Sequence, residues 1–137
     1  MSFPAVRRAL PFGLAVAALS VAPAPPDTPR KRSALAEARY EAAVRQFEEV
    51  WRYYREDRTD SFLTYYWSKI VLEAQQDLSA APADRIAALE AHLGRIKRLE
   101  ALVLKVRRLG FGYSIDVGAT AYYRLEAELW LEEAKAG

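Results

Sequence analysis

Cysteine is absent from this 137-residue chain, which also holds one histidine, one methionine and six glycines. Without cysteine there can be no disulfide, no thiolate nucleophile and no cysteine-ligated zinc, and the chain tolerates an oxidising compartment. The single histidine, His92, has Leu89 three residues before it, so the paired Glu-x-x-His motifs of di-iron bundles are missing. Glycine is too sparse for a phosphate cradle: Gly110-x-Gly112 lacks a preceding strand and a third glycine, and reads as a helix stop. An excess of one charge is also missing. The formal charge is +2, but residues 1–32 carry Arg7, Arg8, Arg30, Lys31 and Arg32 against Asp27 alone, leaving the remainder slightly acidic. A nearly balanced chain gives no electrostatic footprint for nucleic acid. The longest apolar stretch, Ala9 to Ala22, is shorter than the ~20 residues of a membrane span.

What is present begins with an address. Arg7 and Arg8, the apolar stretch, and small residues closed by Pro23, Pro25, Pro26 and Pro29 are the parts of a secretory signal peptide over residues 1–22. Cleavage after Ser20 avoids the prolines that follow Ala22 and Ala24, and an uncleaved anchor is the rival reading. The setting of Arg7-Arg8 matches the twin-arginine route poorly. Residues 23–32 read as a proline-rich, basic, extended linker. The mature protein is thus expected in the periplasm, or otherwise exported in a bacterial envelope, without a membrane span.

From residue 33 the hydrophobic spacing is helical, and the composition is rich in Ala, Leu, Glu and Arg. Ala36, Tyr40, Ala43, Phe47, Val50 and Tyr54 form one stripe, and Thr59, Asp60 and Ser61 offer N-caps for a new helix. Leu63, Trp67, Ile70, Ala74 and Leu78 form the second stripe, ended before Pro82. Ile86, Leu89, Leu93, Ile96, Leu99, Val103 and Val106 form the third, which Gly110 and Gly112 terminate. Ser114 is placed to cap the fourth helix, with Asp116 in its first turn, and that helix runs through Tyr122, Leu125 and Leu129. The halves repeat without a gap at an offset of 53, pairing Arg55 with Arg108, Ser61 with Ser114 and Leu72-Glu73-Ala74 with Leu125-Glu126-Ala127. The predicted fold is all-α: two tandem antiparallel hairpins, 33–81 and 82–137, running up-down-up-down as a four-helix bundle or elongated coiled coil. Both hairpin tips then lie at one end.

Chemistry is poorly supplied. His92 lies between Leu89 and Leu93 and is expected on the solvated side of its helix. Glu126, Glu128, Glu132 and Glu133 read as a solvated acidic face interleaved with Arg124 and Lys135. No catalytic residue, cofactor or metal ligand set emerges. Aromatic residues are the unusual feature, because adjacent ones point about 100° apart on a helix and cannot share one core. Trp51, Tyr54, Tyr66, Trp67, Tyr122 and Tyr123 are therefore candidates either for a wide core rim or for an interface with a partner or a second copy.

Arg107-Arg108-Leu109-Gly110, then Ser114-Ile115-Asp116-Val117, then Tyr122-Tyr123-Arg124-Leu125-Glu126-Ala127-Glu128-Leu129 resembles a recurring pattern of TolC-like outer-membrane efflux proteins. The resemblance covers residues 85–137, and 34–81 only through the repeat. It implies that residues 107–117 form the periplasmic tip of a helical hairpin that docks on an adaptor protein. Gly110, Gly112, Ser114, Asp116 and Val117 would shape that tip, and Arg107 and Arg108 would supply contacts. The chain departs from the pattern at Gly118, where leucine is usual, and at Asp57 and Arg58, where the first tip would carry glycine. No alternating strands for an outer-membrane barrel are present. The expected function is non-catalytic binding or scaffolding by a free-standing hairpin module, through an envelope partner or self-association. The alternative is a soluble periplasmic bundle with an apolar pocket between its hairpins, taking a small ligand or an unfolded chain.

Overall fold

The computed structural model describes residues 29–137, so the expected signal peptide and residues 23–28 of the expected linker lie outside the described residues. Among the described residues the protein is all-α, with helices α1 (Pro29–Arg55), α2 (Ser61–Gln76), α3 (Pro82–Arg108) and α4 (Ser114–Ala136). The expected linker therefore ends earlier than its composition implied, because residues 29–32 belong to α1. Proline opens that helix without penalty, since the first N–H groups of a helix have no intrahelical acceptor.

The repeat is visible in the backbone. Pro82 follows Pro29 by 53 residues, and Ser114 follows Ser61 by the same interval. The turns match bond for bond. Arg58 N–H donates to the Tyr53 carbonyl at 2.9 Å, and Phe111 N–H donates to Val106 at 3.1 Å. Asp57 N–H donates to Tyr54 and Gly110 N–H to Arg107 in the same way. These are the backbone bonds of a helix end closed by a left-handed residue. That residue is Asp57 (φ 57°) in the first turn and Gly110 (φ 85°) in the second.

Packing follows chain order. α3 lies along α4, α1 along α2 and α2 along α3, with a lighter contact between α2 and α4, while the backbones of α1 and α4 stay apart. α2 is thus the central element. Its buried arc is wide and centred on Ser61, Thr64, Tyr65, Ser68, Val71 and Leu72. Of the stripe expected for α2, Ala74 is fully buried, Trp67 and Ile70 pack at the edge of that arc, and Leu63 and Leu78 are exposed. The main core joins Phe47 and Trp51 of α1, Val71 and Ala74 of α2, and Ile96, Leu99 and Val103 of α3. Each such aliphatic side chain contributes about 1.5–3 kcal/mol of transfer free energy. A smaller cluster of Leu72, Ala88 and Leu89, covered by Trp130, Leu131 and Ala134, closes the end away from the turns.

Ser61 Oγ donates to Asp116 Oδ1 at 2.6 Å, tying the first residues of α2 and α4 together. Both turns therefore sit at one end of the molecule. No described helix is long and apolar enough to cross a membrane.

Candidate functional site

The two turns differ in what they show to solvent. In the first, Arg52 pairs with Glu49 and Glu56, Arg58 pairs with Glu56, and both guanidinium groups lie over the Tyr53 ring at 4.7 and 4.4 Å. The charges of Glu49, Arg52, Glu56 and Arg58 are locally satisfied. In the second, Leu109, Phe111 and Tyr113 are 65–74% exposed, and Ile115 is 77% exposed. Gly110 and Gly112 (φ 72°) hold the backbone left-handed between these side chains. A β-carbon at Gly112 would sit 3.2 Å from Val106 Cγ1, so the second glycine also serves a close approach. Lys105, Arg107 and Arg108 end α3 beside this turn and meet no carboxylate among the described residues.

Ser114 does not cap α4. Tyr113 occupies the N-cap position without a side-chain hydrogen bond, and Ser114 is the first helical residue. The equivalent position in the first turn is Asp60, whose carboxylate accepts from Leu63 N–H at 2.8 Å. An aromatic side chain at the second N-cap leaves the α4 amides uncapped and adds to the exposed apolar turn. Asp116 and Val117 are both half-buried, the first bonded to Ser61 and the second packed on the core, so neither is a free contact residue.

α4 has an inverted face. Thr120 and Ala127 are fully buried at the centre of the seam against the bundle, flanked by partly buried Val117, Tyr123, Trp130 and Leu131. The large apolar residues Ile115, Tyr122, Leu125 and Leu129 form a row on the opposite side and are 52–77% exposed. Of the candidate interface aromatics, Tyr66 and Tyr122 are exposed, whereas Trp51 is in the core and Tyr54, Trp67 and Tyr123 pack against it. Tyr123 stacks on Tyr65 with centroids 3.9 Å apart. Burial and the hydrogen bond it donates to Glu126 push the Tyr65 phenol up, and burial with nearby acidic charge raises Tyr54 to about 12.

His92 is buried rather than solvated, with 0% exposure. The imidazole stacks beside Trp130, and its Nδ1 lies 2.8 Å from Ser68 Oγ. Arg95 Nε donates to the same Ser68 Oγ at 2.8 Å, and its Nη2 donates to the Ser68 carbonyl at 3.2 Å. Ser68 Oγ thus accepts from Arg95 and shares a hydrogen bond with His92 Nδ1, while the buried Nε2 of His92 has no partner. Burial pushes the imidazole down to about 4, and Arg95 adds to the shift. A serine beside a histidine suggests nucleophilic chemistry, but both are sealed at 0% exposure, and Ser68 is held by a guanidinium. This cluster orients α2 against α3.

At the end away from the turns, a cleft of about 670 Å³ opens between α2, α3 and α4. Leu72, Leu89 and Trp130 form its floor, and Lys69, Glu73 and Arg85 stand on its rim. Among the described residues no three histidine or acidic side chains are gathered as a metal site. No family model, curated protein or solved structure matches this chain.

Proposed function

We propose that the protein is an exported, non-catalytic helical module that docks on an envelope partner through the α3–α4 turn, as the resemblance to efflux-channel hairpins implies. The observation that carries this reading is the turn itself. Leu109, Phe111 and Tyr113 stand in solvent beside Lys105, Arg107 and Arg108, which meet no carboxylate among the described residues, while the sister turn carries Glu56, Arg58 and Asp60 at the three equivalent positions. Aromatic side chains with adjacent arginine, here Phe111 and Tyr113 beside Arg107 and Arg108, are enriched at protein interfaces. Retaining a tyrosine where Asp60 caps the sister helix forgoes about 1 kcal/mol of capping. A stability loss of that kind is common where function sets the residue.

The test is a crosslinked pull-down of the tagged full-length protein from intact cells, with soluble and envelope fractions analysed separately. Tyr113→Asp serves as the comparison: it restores the missing cap, so the variant should unfold at higher urea, by about 1 kcal/mol. Wild type should be recovered in the envelope with a channel or adaptor component, and the more stable variant should lose it. Recovery of both as lone soluble species removes the reading.

The cleft floored by Trp130 favours a second reading, a small-ligand bundle. Its lining from α2, α3 and α4 includes the Trp130 indole, so a bound ligand would shift tryptophan fluorescence in a way that Arg85→Ala weakens.

A further inference from the structure

We infer that the outer face of α4 is the seam of a two-fold dimer in which the α4 helices of two copies of this chain run antiparallel. The row shares Ile115 and the basic end of α3 with the α3–α4 turn, but its dimerisation is measured without reference to whether the turn binds a partner. Three observations carry it.

The first is the spacing. Ile115, Gly118, Tyr122, Leu125 and Leu129 recur at steps of three and four, the seam of a helix pair, yet they face away from the bundle. Their rings continue onto α2: Tyr122 meets Tyr123 at 6.3 Å, Tyr123 stacks on Tyr65, and Tyr65 lies 6.3 Å from exposed Phe62, which contacts exposed Tyr66. With Phe62 and Tyr66 the exposed apolar area is on the order of 700 Å², close to the share of one partner in a standard interface.

The second is shape. Gly118 has nothing within 4 Å of where a β-carbon would stand, so it is a notch in the row. An antiparallel copy centred between Tyr122 and Leu125 sets Tyr122 against the partner's Leu125, and the notch at Gly118 against the partner's Leu129. Knob and notch coincide in that register.

The third is charge. Lys105, Arg107 and Arg108 lie unpaired at the turn end of the row, and Glu132 and Glu133 lie at its other end, also without an ion pair among the described residues. The flanking charges between them are already used: Glu126 accepts from Tyr65, Glu128 from Arg124, and Lys135 meets Glu90. An antiparallel copy brings the basic end to the acidic end twice, whereas a parallel one stacks like on like.

The full chain, purified as recovered from cells, is examined by sedimentation equilibrium from about 1 to about 200 µM, a range that spans ordinary dimer affinities. A dimer is expected, and Leu125→Glu should raise its dissociation constant at least about tenfold. Gly118→Gln fills the notch with a better helix former. It should melt at higher temperature as a monomer and yet dimerise less, which separates loss of the seam from loss of the fold. Because the chain has no cysteine, introduced thiols report register cleanly. Ile115→Cys mixed with Glu132→Cys should crosslink, and Ile115→Cys alone should not. A monomer at every concentration, a dimer indifferent to both substitutions, or self-crosslinking of Ile115→Cys without the mixed product would each overturn the proposal.

Discussion

Water is excluded from His92 by Trp130 and Tyr65, and the cations Arg95 and Lys69 stand near it. The imidazole is therefore held neutral down to about 4, while in the unfolded chain it titrates near 6.5. Above pH ~6.5 neither state carries the proton, and the full stability is present. As pH falls towards 4, the unfolded chain takes up a proton that native His92 refuses, so stability is lost by roughly 2–3 kcal/mol at pH ~4.5. Urea unfolding at neutral pH and at pH ~4.5 checks this, because His92→Gln should show a drop smaller by about that amount. An equal drop in both proteins would place the acid sensitivity in the carboxylates instead. From sequence, His92 looked solvated because the α3 stripe of Leu89, Leu93, Ile96, Leu99 and Val103 is complete without it. That stripe is indeed buried, but its arc is wide enough to include Ala88 and His92 as well. Only the placement of Ser68, a residue of another helix, gives the imidazole its hydrogen bond.

At the scale of the element, α1 and α3 were legible because the buried apolar residues of each fall on the arc that the spacing marks out. Ala43, Phe47 and Val50, like Leu89 to Val103, are buried as their spacing predicts. α2 and α4 were not, for two different reasons. α2 touches three helices, so its hydroxyl-bearing positions Ser61, Thr64 and Ser68 are drawn inside and no single apolar stripe describes it. α4 has apolar residues on both sides, with small ones at the centre of its seam and Val117, Tyr123, Trp130 and Leu131 beside them, so hydropathy alone does not say which side packs. Thr120 and Ala127, fully buried, let its backbone come close to the bundle, and the larger Tyr122, Leu125 and Leu129 are left outside. The turn was legible in its glycines and arginines but not in Leu109, Phe111 and Tyr113, which an isolated sequence presents as ordinary apolar residues near a helix end. The inversion of α4 makes an opposite pair of mutational effects. Ala127→Leu should destabilise the fold by about 1–3 kcal/mol through overpacking. Leu125→Ala, although it truncates a large apolar side chain, should change the unfolding free energy of a dilute monomer by less than about 0.5 kcal/mol. Thermal melts at low protein concentration decide it, and equal losses would return Leu125 to the core.

Across the whole molecule, the repeat supplies its own control for what joins the two hairpins at the turn end. Ser61 and Ser114 are equivalent first residues of α2 and α4, yet only Ser61 is buried and bonded to the other hairpin, through Asp116. Ser114 is exposed and has no such partner. The Ser61–Asp116 hydrogen bond is charge-assisted and half-buried, a setting in which such bonds contribute about 1.5–3 kcal/mol. A double-mutant cycle of Ser61→Ala with Asp116→Ala should therefore return a coupling of about 1–2 kcal/mol. The same cycle with Ser114→Ala in place of Ser61→Ala should return none. Asp116 also lies in the first turn of α4, where the macrodipole favours its charge, and the cycle subtracts that contribution because it is present with either serine variant. Coupling at Ser61 alone would mean that the turn end is held as one rigid surface by a contact between hairpins. Coupling at neither serine would mean that the two turns are joined only by the packing of Tyr54, Val117 and Tyr123 on the common core. The exposed α3–α4 turn would then move with its own hairpin.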